Sequence, residues 1–428
     1  MPYVDTYYKT RLCDPGPRPA LRESVDVDVC IVGAGLAGLT AALELAQGGR
    51  SVCLLEAERV GWGASGRNGG FVSPGYSAGH GTLRRHVSRD HALTLHRLSI
   101  EGARAVSEKI QKFALKSAVN PTPGALSASR YEAAAELQSY RDWLAREFDY
   151  PVDLWERDRV RASLNSSCYH QAIYQPQAFH FDPLAYARAL AIEIERLGGR
   201  IFEATAATSI DRDGAAQIVG AARGHVRARD VVIATGGYTG ELLPRLRASY
   251  LPIATYVMLT EAAPELIATA VRTEAAIGDR RRAGDYYRLV ENGARLLWGG
   301  KITTRVSEPR SLAVLMRQTM VATYPQLVDL KVDFAWTGLM AYARHLMPQI
   351  GALEPGLWYC TAFGGHGMNT TAIGGRVIAE AILGESDRYR LFAPFGLTWN
   401  GGFAGRAAVQ ATYWALQAQD AWRERWAG

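Results

Sequence analysis

A chain of 428 residues, 48% hydrophobic and 21% charged, can bury a large core; this excludes a disordered chain and indicates a large α/β body or two joined domains. The formal net charge is +6, yet basic residues are interleaved with acids and the densest group, Arg280, Arg281 and Arg282, is short, so no nucleic-acid partner is expected. Cys13, Cys30, Cys53, Cys168 and Cys360 form no Cys-x-x-Cys pair and no metal-ligand spacing, which argues against a redox dithiol or a metal site and fits a reducing compartment.

The first residues lack a basic-then-apolar signal region, so a cytoplasmic protein is expected. Residues 1–24 carry Pro15, Pro17 and Pro19 and read as an irregular lead-in. Asp26–Val32 is a β-prone apolar run, Leu36–Gln47 has helical periodicity, and Ser51–Glu56 is a second apolar strand. Val29–Ala46 is apolar enough to suggest a membrane span. Gly33, Gly35, Gly38 and Glu44 interrupt it, so a strand-turn-helix is expected and no stable membrane insertion. Helical patterns follow at Leu93–Phe113, Ala133–Phe148 and Asp182–Leu197. Asp230–Ala234 reads as a short buried strand. Residues 250–335 turn β-prone, with Tyr250–Thr260, Tyr286–Val290 and Arg295–Trp298 as strands and Leu312–Tyr324 as a helix. Leu357–Thr361 reads as a strand and Ala372–Leu383 as a helix. The tail, Ala407–Arg425 with Trp414, Trp422 and Trp426 in and beside it, is expected to dock on the body.

Gly33-Ala34-Gly35-Leu36-Ala37-Gly38 lies between the first strand and the first helix. Gly33 permits the tight turn, Gly35 lets backbone approach a pyrophosphate, and Gly38 lets helix and strand pack closely. The phosphates would sit on free N–H groups at the helix start. Glu56 ends the next strand, where an acid binds an unphosphorylated ribose. A second glycine-rich loop follows at once: Gly61, Trp62, Gly63, Ala64, Ser65, Gly66, Arg67, Asn68, Gly69 and Gly70. So much bare backbone suits close approach to a large ligand. Later, Thr235-Gly236-Gly237 follows a strand, and Gly364, Gly365, His366, Gly367 and Met368 precede a helix. The N–H groups of that last turn, at a helix start, suit negative charge on a ligand.

These segments together resemble the glycine/D-amino acid oxidase (DAO) superfamily of flavoproteins, and Val60–Gly70 is similar to the branch containing γ-glutamylputrescine oxidases. The resemblance implies a Rossmann-like FAD-binding domain of the glutathione-reductase type. It also implies an interleaved α+β substrate domain on an antiparallel sheet. Expected bounds are 1–110, 165–249 and 335–428 for the first, and 111–164 and 250–334 for the second. It places Ala57 and Ala207 beside the cofactor with the glycine segments. Non-covalent FAD is expected, because Ala335–Tyr342 lacks the cysteine that tethers flavin in some sarcosine oxidases.

The implied chemistry is hydride transfer from the carbon of a C–N bond to the flavin, with O2 or an electron carrier as acceptor. Lys301, Arg67, His366 and Tyr287 are the candidate catalytic residues, and Arg288 is a further candidate for a substrate carboxylate. Tyr286 and Tyr287 are candidate pocket walls or core aromatics, and His366 a proton donor or an orienting histidine. The absence of an acidic cluster in the sequence favours an amino acid over a free polyamine. The leading substrate is a secondary, cyclic amino acid of the L-pipecolate kind; the alternative is a γ-glutamylated amine. An NAD-dependent dehydrogenase and a non-catalytic flavin-binding subunit remain open.

Overall fold

The computed structural model describes residues 2–281 and 284–426; Arg282 of the basic triplet lies outside the described residues. Two sheets organise them. In the first, five parallel strands run in the spatial order Leu357–Thr361, Gly224–Ile233, Ser24–Val32, Val52–Leu55 and Arg200–Phe202. Gln349–Glu354 pairs antiparallel at one edge, and the hairpin Ala207–Asp213 and Ala216–Ala221 joins Gly224–Ile233. Helices Leu36–Gln47, Arg89–Lys112, Pro183–Arg196 and Gly367–Leu383 supply most of the apolar cluster on one face. A parallel sheet needs such cover, because it is buried on both faces and its strands are apolar runs.

The second sheet holds nine strands among the described residues. Its order is Val332–Ala343, Tyr250–Thr260, Arg295–Thr303, Tyr286–Val290, Ala276–Asp279, Thr122–Ala128, Ala172–His180 and Phe71–Val72, with Asp153–Trp155 beside Ala172–His180. Its pairings are antiparallel except where Ala276–Asp279 meets Thr122–Ala128 in parallel. Helix Leu312–Thr323 packs Leu312, Met316 and Met320 onto it. Strands Phe71–Val72, Ala172–His180 and Val332–Ala343 extend it beyond 111–164 and 250–334, so the interleaving is finer than the sequence suggested.

Helix boundaries match the periodicity to within a residue or two except at three starts, the first being the helix expected from Leu93, which begins at Arg89. The last cofactor-side helix starts at Gly367, directly on the glycine turn, and the tail helix starts at Gly402. No helix among the described residues is long and apolar enough to cross a membrane.

The lead-in is not irregular throughout. Tyr7–Thr10 forms a short helix capped by Thr6, and Tyr3, Tyr7 and Tyr8 are buried. The Tyr3 hydroxyl donates to the Val60 carbonyl and the Tyr8 hydroxyl to the Asn68 carbonyl, so this segment braces the second glycine loop. Asp14 adds an ionic tie, receiving Arg59 Nη2 and Arg188 Nη1, each at 2.9 Å. Partial burial works against the Asp14 carboxylate, but the two guanidiniums outweigh it and hold its pKa at about 2 instead of 3.8. A carboxyl whose folded pKa is depressed stabilises the fold above its unfolded value, and that contribution fades as pH falls through the folded value. Asp14→Asn should therefore lower the melting temperature at pH 6, and its gap from the parent should shrink between pH 4 and pH 2. A gap constant across that window in thermal melts would remove this tie.

Candidate active site

The first parallel strand has its helical crossover neighbour on one side and the Gly224–Ile233 strand on the other. Ligands of open α/β sheets bind at the carboxyl ends of strands where the order divides in this way. There the Val32-Gly33 and Ile233-Ala234 strand ends come together. Gly33 has φ +103°, and a Cβ on it would lie 2.8 Å from the Ala234 carbonyl oxygen. Only glycine fits that turn without strain. A cleft of about 1000 Å³ opens from this point towards the second sheet.

The glycine segments meet in that cleft. Gly33, Gly35, Leu36 and Ala37 line it at the first turn. Leu36 donates its N–H to Ser65 Oγ at 2.9 Å, which knits the second glycine loop to the helix start. Ala34 and Gly38 lie behind the lining: Ala34 is fully buried, and a Cβ on Gly38 would strike the Gly33 carbonyl. Gly38 thus packs the helix on the strand as its spacing implied, and Ala34 ties the turn to Glu56 through its N–H. Glu56 and Ala57 line the cleft at the end of the second strand. The Glu56 carboxylate accepts the Ala34 and Glu58 N–H groups, one on each oxygen, which leaves lone pairs for further donors. Burial raises its pKa despite those two donors.

From the second loop, Gly63, Ala64, Ser65, Arg67, Asn68 and Gly69 line the cleft. Gly70 does not; its backbone lies against the Phe181 carbonyl, so it also serves the scaffold. Ala207 and the Thr235-Gly236-Gly237 turn line the first-sheet end. Gly364, Gly365, His366, Gly367 and Met368 line another wall. Gly365 donates its N–H to Ser77 Oγ, and Gly364 donates to the Ala341 carbonyl. Burial lowers the His366 pKa, and the ring bonds to the Pro74 carbonyl. A neutral histidine bonded in this way is suited to orienting the turn more than to supplying protons.

Arg67 is a half-buried cation of the cleft. Its guanidinium stacks 4.0 Å from the Trp62 ring centroid, Nε donates to the Trp62 carbonyl, and Nη1 donates to the Thr337 carbonyl. Nη2 is buried without a hydrogen-bond partner. Desolvation lowers its pKa and outweighs the opposing pull of Tyr238, Glu308 and Glu58. Lys301 also lines the cleft.

Two proposed residues lie elsewhere. Tyr287 is fully buried in the second core, stacked on Trp298 at 4.2 Å and hydrogen-bonded to Tyr169 and Tyr324. Neighbouring strand residues point to opposite faces, so Tyr286 faces the cleft and Tyr287 cannot. Arg288 is buried and committed to His180, Tyr8 and the Phe181 carbonyl, which removes it as a carboxylate anchor.

Sequence reasoning missed three lining groups. Tyr342 lines the cleft beside the Gly364-Gly365 turn, and burial pushes its pKa up to about 12. Tyr413 arrives from the tail helix. An ion network also borders the cleft. Asp279 pairs with Arg130 and Arg281, Asp285 pairs with Arg281, and Glu424 sits 3.8 Å from Arg130 and 3.6 Å from Arg281. Three acids against two cations overturn the reading that no acidic cluster exists. Burial raises the Asp285 and Glu424 pKa values against the pull of those arginines.

Bare backbone at the first turn, N–H groups at a helix start, a strand-end acid and a glycine-rich second loop together fit FAD. A family described as DAO, FAD dependent oxidoreductase, matches residues 28–381, and the chain belongs to it. It is an FAD-dependent oxidoreductase acting on the C–N bond of amines or amino acids. The chain is 32% identical to gamma-glutamylputrescine oxidoreductase of Escherichia coli K12, over 97% of its own length and 98% of that protein. It is 30% identical to a probable oxidoreductase of Haemophilus influenzae, covering 91% and 90%. Its fold matches glycine oxidase of Geobacillus kaustophilus at a TM-score of 0.73 and 20% identity, covering 87% and 99%.

The Tyr286 ring lies across Gly299 and beside Gly69, where a Cβ would come within 2.8 Å of it. Gly299→Ala should push that ring into the cleft. The expected result is about five- to a hundredfold weaker substrate binding with little change in the flavin content of the purified protein, if the overpacking cost of ~1–3 kcal/mol falls on the substrate pocket. Steady-state kinetics beside a flavin-to-protein absorbance ratio would check it.

Proposed function

We propose that the chain oxidises the terminal amine of a γ-glutamylated amine to an imine, which water hydrolyses. One observation carries this reading: the cleft lining holds both a cation, Lys301, and an acid, Asp285, whose carboxylate Arg281 also engages from one side. A Cβ on Gly300 would run into the Asp285 carboxylate, so that acid lies over the residue next to Lys301. A γ-glutamyl amine keeps an unreactive α-ammonium and α-carboxylate at the end far from the reacting amine. Lys301 and Asp285 suit that pair of charges. The likeness to gamma-glutamylputrescine oxidoreductase over nearly the whole chain supports the same reading.

A cyclic amino acid of the L-pipecolate kind suits the wall less well. Its only amine is the one that reacts and must be neutral, and a neighbouring carboxylate favours its protonated form. Free putrescine lacks a carboxylate for Lys301.

FAD, when bound, accepts the hydride and supplies the redox chemistry. The protein holds the substrate carbon in place and keeps water away from it. In this reading Lys301 and Asp285 fix the distal end. Arg67, held by Trp62 and Thr337, offers a fixed positive charge for an anion forming in the cleft. His366 holds the glycine turn through Pro74. No described cysteine lines the cleft, which fits the expectation of non-covalent FAD.

The test is anaerobic loss of the flavin's visible absorbance with γ-glutamylputrescine, putrescine, L-proline and L-pipecolate. γ-Glutamylputrescine should bleach the flavin at the lowest concentration. Lys301→Ala should raise its half-saturating concentration about tenfold, the scale of one charge-assisted hydrogen bond. Bleaching by L-pipecolate but not by the γ-glutamyl amine would replace this reading with the cyclic one.

A further inference from the structure

Lys301 is the extra residue of a β-bulge. Tyr256 pairs with Gly300 and Thr255 with Ile302, which leaves Lys301 without a partner across the ladder. Its φ is +48°. A side-chain-bearing residue in that left-handed region is strained and persists where its surroundings over-determine it. Bulges beside active sites re-aim a side chain, and this one lies in the cleft wall.

The groups that pin the bulge come from the tail helix Gly402–Arg425. Tyr413 Oη accepts the Ile302 N–H at 3.0 Å. Gln410 Oε1 accepts from Thr303 Oγ1 at 3.1 Å and from the Thr304 N–H at 3.0 Å. Gln410 and Tyr413 are three residues apart and so share one helix face. A turn of backbone just after Lys301 is thus fastened at successive residues by one rigid element. The same helix brings Glu424 to Arg130 and Arg281 of the cleft network.

The burial pattern argues against a helix that merely covers apolar surface. Trp414, Trp422 and Trp426 are 61%, 63% and 76% exposed, whereas Tyr413 is 8% exposed. The large apolar side chains face away, and the inward groups are ones that accept hydrogen bonds or carry charge. That is the arrangement of a clamp.

We propose that Gln410 and Tyr413 are positioning residues for amine oxidation: they hold the Lys301 bulge in its left-handed form and so set how tightly substrate is held. They act through the bulge and leave the redox step alone. The proposal rests on the reading of Lys301 as a substrate anchor.

The experiment compares Lys301→Ala, Tyr413→Phe, Gln410→Ala and Gln410→Glu as FAD-loaded enzymes. Anaerobic flavin reduction is titrated with whichever amine of the panel above reduces the parent enzyme at the lowest concentration. Tyr413→Phe and Gln410→Ala should each raise the half-saturating concentration about three- to tenfold, the scale of one lost hydrogen bond. The limiting rate and flavin content should stay within about twofold, because the cofactor contacts are not touched. Gln410→Glu keeps an oxygen acceptor and should restore the parent value. Hydrogen exchange at the Ile302 and Thr304 amides should quicken in Tyr413→Phe and Gln410→Ala respectively. If Lys301→Ala leaves half-saturation unchanged, the anchor reading and this proposal fall together. If Lys301→Ala raises it while Tyr413→Phe and Gln410→Ala do not, the proposal alone is overturned. A limiting rate that falls in step with flavin content would instead mark a general structural role and also overturn it.

Discussion

The close approach of Gly33 to the Ala234 carbonyl is the constraint on which the rest of the site depends. It brings together the ends of two strands that are distant in sequence and adjacent in the sheet. The crevice exists because no side chain fills that corner. Ser65 then ties the second glycine loop to the helix that begins there, and Tyr3 and Tyr8 hold the same loop from the other side. The loop that carries Arg67 is therefore positioned from three segments at once, although it has little regular structure of its own.

The cofactor half of the site was legible in the sequence because its signals are local. A turn, a helix start and a strand-end acid each follow from a few adjacent residues. The substrate half was less legible, for physical reasons that differ by residue. Tyr286 and Tyr287 are the same residue type on one strand, and both faces of that strand are covered, so alternation gave no hint of which tyrosine meets the cleft. The acids and arginines at 130, 279, 281, 285 and 424 look scattered. They converge because Ala276–Asp279 pairs with Thr122–Ala128 and the tail helix folds back onto both. The buried tyrosines of the lead-in had no periodicity to reveal them among prolines.

Electrostatics separate Arg67 from Lys301, the two cations of the cleft lining with no salt bridge among the described contacts. Arg67 is desolvated, stacked and fixed by backbone carbonyls, and it gains little from solvent rearrangement. Lys301 is half-buried on a bulge and is held through the backbone that follows it. A planar guanidinium with its fork locked in place suits a site where charge develops at a fixed position. A flexible ammonium suits the end of a substrate that must enter and leave.

The order in which the parallel strands occur has a consequence for how the enzyme is made. The central sheet takes strands from residues 24–32, 52–55, 200–202, 224–233 and 357–361. During synthesis the first glycine turn emerges early, yet the partner of its sheet edge and the His366 wall emerge far later. Pairings of such long sequence separation form slowly, and a half-made parallel sheet exposes apolar edges. Flavin therefore has no complete cradle to enter until nearly the whole chain has left the ribosome. Whatever stability bound flavin adds therefore comes late in folding, after the last of these strands has joined the sheet.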